Sequence, residues 1–312
     1  MKVLVTGVSG YIGGQIALRL MDAGHTVIGI DRRTCQFPID KFVLSDFAAP
    51  LGLYNIVKEV PDAIIHCAGT SLVGPSIANP AEYYHNNVIK TITMLDIVRE
   101  SMPKTRVIFS SSAAAYGNPI MTPVQEVDPA EPISPYGESK LMVERVLESY
   151  HRAYKLNYVA FRYFNACGAD PRGRHGQTVG ATHIMARIME SVKNNTQFVC
   201  NGNAFETADG TCVRDYVHVD DIASAHIIAL GSTDVQCGVY NLGTARGASN
   251  LEVVTAAEKA TGQVINVEFG PARTGDPAIL TADAGKFSKA TGWVPTYTLD
   301  NMSTHAWNWY SK

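Results

Sequence analysis

The chain has 312 residues, 46% of them hydrophobic, and a formal net charge of −3 at pH 7. That length buries a large core in one or two domains. It shows no internal repeat and no basic stripe, which excludes a solenoid and gives no nucleic acid or anionic membrane a footing, so the partners are small molecules or a second copy of the chain.

The first strand begins at Lys2 in "KVLVT", which leaves no room for a secretory leader, and no apolar run reaches membrane-spanning length. Six scattered cysteines, several inside apolar runs, suit reduced thiols in a cytoplasmic protein better than a disulfide frame. The nine histidines lack ligand spacing, so no metal is expected.

In chain order, residues 2–31 read as a strand, a glycine turn, an amphipathic helix and a second strand ending at Asp31. Gly7, Gly10 and Gly13 permit a tight turn, a close approach of backbone to pyrophosphate, and close packing of helix on strand. The N–H groups opening that helix attract phosphate. Asp31 lies where an acid accepts hydrogen bonds from a ribose diol, and its charge repels a 2′-phosphate. Despite Arg32 and Arg33 beside it, the pattern favours NAD over NADP.

Alternation continues through "KFVLSD", "DAIIHCAG", "RVIFSSSA" and "NYVAFRYFNACG", each separated by helical sequence. Such alternation predicts an α/β protein with a doubly wound, Rossmann-type parallel sheet. Asp46 ends one strand and either meets an adenine amine or remains a loop acid. "CAG" at Cys67–Gly69 and Ser112 in "FSSSAAAYG" both fall at strand carboxyl ends, the edge where such sheets bind dinucleotides. In "SPYGESK", Ser134 and Pro135 start a helix that puts Tyr136 and Lys140 on one face at i and i+4. Later, "ARTGDPA" supplies Arg273 and Asp276, either a phosphate and ribose pair or a local salt bridge.

With "TGVSGYIGG", "FSSSAAAYG", "SPYGESKLMVE", "FRYFNACGADP" and "DGTCVRDYVHVDDIA", nearly the whole chain resembles the extended short-chain dehydrogenase/reductase family, and within it the UDP-glucose 4-epimerases. The resemblance implies Ser112, Tyr136 and Lys140 as the catalytic triad. It implies cofactor contacts from Tyr11, Ile12, Phe47, Ala68, Asn86, Ser110 and Tyr163, besides the glycines, Asp31, Asp46 and Cys67–Gly69. Its substrate-side positions fall on Asn165, Arg214 and Tyr216. The implied reaction oxidises the sugar C4 hydroxyl, with Tyr136 as base, and reduces the 4-ketone from its other face. A free phenol has a pKa near 10, and Lys140 together with an oxidised nicotinamide is expected to lower that of Tyr136. Arg214 would pair with the diphosphate of a UDP-sugar, or else bridge to Asp215 or another acid.

Departures from the family pattern appear at Ser71, where a lysine is absent, at His183, at Asn201 in place of an aromatic residue, and at Leu280 in place of a tyrosine. Leu280 suggests a roomier sugar pocket. Ala113 and Ala114 stand where related dehydratases carry an acid pair. Residues 1–167, rejoined by about 215–243, are expected to hold NAD, with 168–214 and 244–312 as a smaller UDP-sugar domain. Family members pair through helices, which makes a homodimer the expectation.

Overall fold

The computed structural model describes residues 1–273 and 276–312. Its strands are β1 (Lys2–Thr6), β2 (Thr26–Asp31), β3 (Lys41–Leu44), β4 (Ala63–His66), β5 (Arg106–Ser112), β6 (Tyr158–Tyr163), β7 (Asn165–Cys167), β8 (Phe198–Asn201), β9 (Val213–His218), β10 (Gly238–Leu242), β11 (Gly247–Ser249), β12 (Val267–Gly270) and β13 (Ile279–Leu280). Its α-helices are α1 (Tyr11–Asp22), α2 (Pro50–Glu59), α3 (Val73–Ala78), α4 (Pro80–Tyr83), α5 (Lys90–Ser101), α6 (Pro135–Tyr154), α7 (Ile184–Asn194), α8 (Val219–Gly231), α9 (Asn250–Thr261), α10 (Gly285–Thr291) and α11 (Leu299–Tyr310).

Seven strands form one sheet in the order β10-β6-β5-β4-β1-β2-β3, every neighbouring pair parallel. Side chains alternate across the pleat, so Val3 and Val5 enter a core with Ile16, Leu20, Ile222 and Ala225 of α1 and α8. Leu4 points the other way, into a core with Met94, Val98, Val143 and Leu147 of α5 and α6. Apolar residues on both sides explain the continuous hydrophobic runs of these strands. The order reverses between β1 and β4, and the crevice beyond their carboxyl ends is where doubly wound sheets receive ligands.

The second layer is built around β9, which pairs with β7, β11 and β13, while β8 pairs with β12. Met185, Ile188, Phe198, Tyr216, Val253, Met302 and Ala306 fill its core. Two expectations change here. "NYVAFRYFNACG" is two strands, because the chain leaves the large sheet after Tyr163 and β7 joins β9 in the small one. Likewise β9 does not return to the large sheet; the return begins at α8, which packs on α1, and is completed by β10 beside β6.

Candidate active site

The turn after β1 is tight enough to require glycine. Gly7 adopts φ +73°, and a Cβ there would sit 2.7 Å from the Ala68 nitrogen. A Cβ on Gly13 would fall 2.3 Å from the Gly7 carbonyl oxygen, so α1 could not lie so close to the turn. The cradle is thus drawn against Cys67–Ala68 at the end of β4, with the N-terminus of α1 beside it. Asp31 closes it: Oδ2 accepts from the Ser9 amide at 3.0 Å and Oδ1 from the Arg33 amide at 2.9 Å. These bonds hold the carboxylate still and leave lone pairs free for hydroxyl donors. Asp46 is an ion-paired loop acid, with Oδ2 at 2.6 Å from Lys90 Nζ and Oδ1 accepting from the Ala48 amide. Burial pushes its pKa up, but Lys90 and that amide prevail and hold it below the ordinary value.

On the facing wall, Ser134 caps α6 by accepting from the Gly137 amide at 3.2 Å, and Pro135 fills the first turn. The helix therefore starts where the sequence predicts, and Tyr136 and Lys140 share its cleft-facing side. Lys140 is buried; its Nζ donates to the Ser110 carbonyl at 2.8 Å and lies 5.9 Å from the centre of the Tyr136 ring. Burial pulls its pKa down to about 8, with Cys67 and Glu144 acting the other way. The Tyr136 pKa is raised, foremost by burial, with a hydrogen bond from Ser112 opposing. The expected acidification needs Lys140 together with an oxidised nicotinamide, and burial is the opposing effect that those two charges have to overcome.

Behind this wall the polar groups are paired. Ser110 Oγ meets Tyr163 OH at 2.9 Å, Tyr163 OH meets His226 Nε2 at 2.8 Å, and His226 Nδ1 meets the Ile222 carbonyl at 2.8 Å. Since a carbonyl only accepts, Nδ1 carries the proton and Nε2 accepts from Tyr163. Glu144 takes Arg162 bidentately at 3.0 and 2.6 Å and also accepts from Ser111, tying α6 to β5 and β6 directly beside Ser112. Asn87 bonds the Thr70 amide, the Thr70 carbonyl and Ser139, while Asn86 reaches only Thr70 Oγ1. The chain is π-helical over Tyr84–Ile89, which turns these neighbouring amides to the cleft loop together. Asn86 lines the cleft, as expected of a cofactor contact, while Asn87, which the sequence does not single out, holds the loop beside it. Its signal was faint, a second asparagine in a helical run.

All the predicted site residues line one continuous cleft of about 1610 Å³, from Gly7, Gly10, Tyr11, Ile12 and Gly13 at one end to Asn201, Arg273 and Asp276 at the other. Asp31, Asp46, Phe47, Cys67, Ala68, Gly69 and Asn86 lie along the first half. Ser110, Ser112, Tyr136, Lys140 and Tyr163 stand between the halves. Asn165, His183, Arg214, Tyr216 and Leu280 line the second. No acid stands at Ala113 or Ala114, next to Ser112. Arg214 Nη2 lies 3.6 Å from Asp276 Oδ1; Asp215 instead turns inward, accepting from Thr244, Ala245 and Ala282. With its carbonyl facing Arg273, the Asn201 amide accepts from Nη2 at 3.0 Å and Nε at 2.9 Å. Thr274 and Gly275 of the "ARTGDPA" stretch lie outside the described residues. His183 is exposed at the rim, its Nδ1 3.1 Å from Gln177 Nε2.

A dinucleotide cradle, a Ser-Tyr-Lys wall and a second, cationic pocket in one cleft define a nucleotide-dependent α/β enzyme of the dehydrogenase type. The model of the NAD dependent epimerase/dehydratase family matches residues 3–243, and the chain belongs to that family. It is 40% identical to UDP-glucose 4-epimerase of Halalkalibacterium halodurans, across 100% of this chain and 96% of the relative. It is 39% identical to that of Lacticaseibacillus casei, across 100% and 97%. Among solved structures, UDP-glucose 4-epimerase from Bifidobacterium longum in complex with NAD+ and UDP superposes with TM-score 0.92 at 35% identity, covering 100% of this chain and 98% of that one. The enzyme from Stenotrophomonas maltophila, with bound NAD and formylated UDP-arabinopyranose, gives 0.94 at 32% identity, with the same coverage.

Proposed function

We propose that this protein is an NAD-dependent 4-epimerase that interconverts UDP-galactose and UDP-glucose through a 4-keto sugar. One observation carries the reading: Ser112, Tyr136 and Lys140 converge at the middle of a single cleft, between a dinucleotide cradle and a pocket holding Arg214 and Arg273. The cradle fits NAD, since Gly7 and Gly13 leave backbone exposed to a pyrophosphate and the fixed Asp31 carboxylate suits an unphosphorylated ribose diol. When bound, the nicotinamide supplies reversible two-electron exchange with the sugar C4.

The chain's own groups handle the proton. Tyr136 takes the C4 hydroxyl proton at its phenolic oxygen and gives one back, with Ser112 hydrogen-bonded to that oxygen to orient it. Lys140, ionised below its pKa of about 8, brings positive charge to the wall. Because burial raises the phenol's pKa, Tyr136 waits protonated until further positive charge enters the cleft. With β7 and β9 in the smaller sheet, the division of labour is 1–163 with about 219–243 for NAD, and 164–218 with 244–312 for UDP-sugar. Arg214 and Arg273 are read as the diphosphate ligands, and Asn165, Tyr216, His183, Asn201 and Asp276 as the remaining nucleotide-sugar contacts.

Incubating purified protein with UDP-galactose and no added cofactor tests this. UDP-glucose as product supports it; unchanged sugar on protein that holds NAD overturns it in favour of a binding protein without turnover. A second reading, acceptance of N-acetylhexosamines, is favoured by Leu280, which packs against the cluster of Ala113, Tyr116 and Phe164 at the cleft wall and leaves room a tyrosine would fill. No conversion of UDP-N-acetylgalactosamine by an enzyme active on UDP-galactose would end it. A homodimer is read from Ile89, Met142 and Tyr154, which are exposed on the Tyr84–Ile89 turn and α6, and light scattering decides it. Six free cysteines support a cytoplasmic setting. No helix among the described residues is long and apolar enough to cross a membrane.

A further inference from the structure

At the far end of the cleft stands a third guanidinium that none of the roles above uses. Arg187 lies in the second turn of α7 and lines the same cleft as Arg214 and Arg273. Its Nη2 donates to the Val199 carbonyl at 2.7 Å, and its guanidinium lies 5.3 Å from the centre of the Phe198 ring. Among the described residues no carboxylate pairs with it. Asp276, the carboxylate lining this end of the cleft, is opposite Arg214. Burial and then the charge of Arg273 lower the Arg187 pKa, so the two cations stand close enough to disfavour each other. The start of α7 has no side-chain cap and no acid in its first turn, so the helix dipole adds to the positive field rather than relieving it.

Three guanidiniums and one carboxylate therefore line the end of the cleft that also holds Asn201, which is an amide and not an aromatic ring. The Phe198 ring and the Val199 carbonyl take one face and one N–H of the guanidinium, but neither supplies a full negative charge to offset it. We propose that Arg187 is a substrate-binding residue, a third cation that grips the diphosphate of the nucleotide sugar, so that this chain holds its substrate by charge more than by base stacking. The inference rests on the reading of the cleft as a UDP-sugar site. Four of the five N–H donors of Arg187 remain for phosphate oxygens, and a dianion offsets the repulsion between Arg187 and Arg273.

The test titrates UDP and uridine into the NAD-loaded protein by calorimetry, at low and high salt, with the parent, Arg187→Met and Arg187→Lys. Methionine keeps an unbranched side chain of similar reach and removes the charge; lysine restores charge without the fork. The expected result is an affinity for UDP about tenfold lower in Arg187→Met, partly recovered in Arg187→Lys, with uridine affinity unchanged and a shallower salt dependence for UDP. UDP binding by Arg187→Met equal to the parent's overturns the inference. So does equal loss of UDP and uridine, which would make Arg187 a packing or base-contacting residue. A parent that fails to bind UDP at all overturns the reading of the cleft, and the inference with it.

Discussion

Replacing Lys140 with methionine separates what the ammonium does for the reaction from what it costs the fold. The group is buried, donates to the Ser110 carbonyl at 2.8 Å, and has its pKa drawn from 10.5 to about 8 by burial. A displacement of that size corresponds to about 3 kcal/mol. The sign follows from proton uptake. Between the folded value near 8 and the unfolded value of 10.5, the unfolded chain holds the proton more tightly. The parent therefore gains stability as pH rises through that window and carries the whole penalty below it. Methionine removes the penalty but strands the Ser110 carbonyl, which costs about 1–3 kcal/mol. At pH 7 the two terms nearly cancel, so Lys140→Met should unfold in urea within about 2 kcal/mol of the parent or above it. From pH 8 to pH 10.5 the difference should move in the parent's favour by about 3 kcal/mol. Epimerisation at pH 7 should fall about 10²–10⁴-fold. A variant more than about 3 kcal/mol less stable at pH 7, by an amount that does not change with pH, would refute the desolvation reasoning.

Tyr136→Phe should reduce interconversion of UDP-galactose by at least about 10²-fold while leaving bound NAD, read by absorbance after denaturation, at the parent's level. Gly13→Ala should lose NAD retention, because its Cβ meets the Gly7 carbonyl at 2.3 Å and must push α1 from the turn; differential scanning with and without NAD reads this as a lost ligand-induced shift in Tm. Arg162→Met leaves Glu144 buried without its cation and should cost about 3–5 kcal/mol in urea unfolding. Asn87→Ala strands the Thr70 amide and carbonyl, and should cost about 1–3 kcal/mol and raise KM more than it lowers kcat, since the loop it holds lines the cleft.

The elements that sequence alone determined are those whose signal is local. The glycine turn, Asp31 at a strand end and the capped start of α6 each depend on residues within a few turns of one another. The β/α alternation that implies the large sheet comes from hydrophobic period. Backbone sterics and side-chain burial act at that range, so they are written in neighbouring residues. Tertiary structure decided what depends on residues far apart in the chain. It split "FRYFNACG" between two sheets and placed β9 in the smaller one. It made Asn87 the anchor of the cleft loop, and paired Asp46 with Lys90 and Arg214 with Asp276. It also drew Tyr136 out of water, and the pKa of a phenol depends on how much water the whole fold removes from it as well as on a cation four residues along one helix.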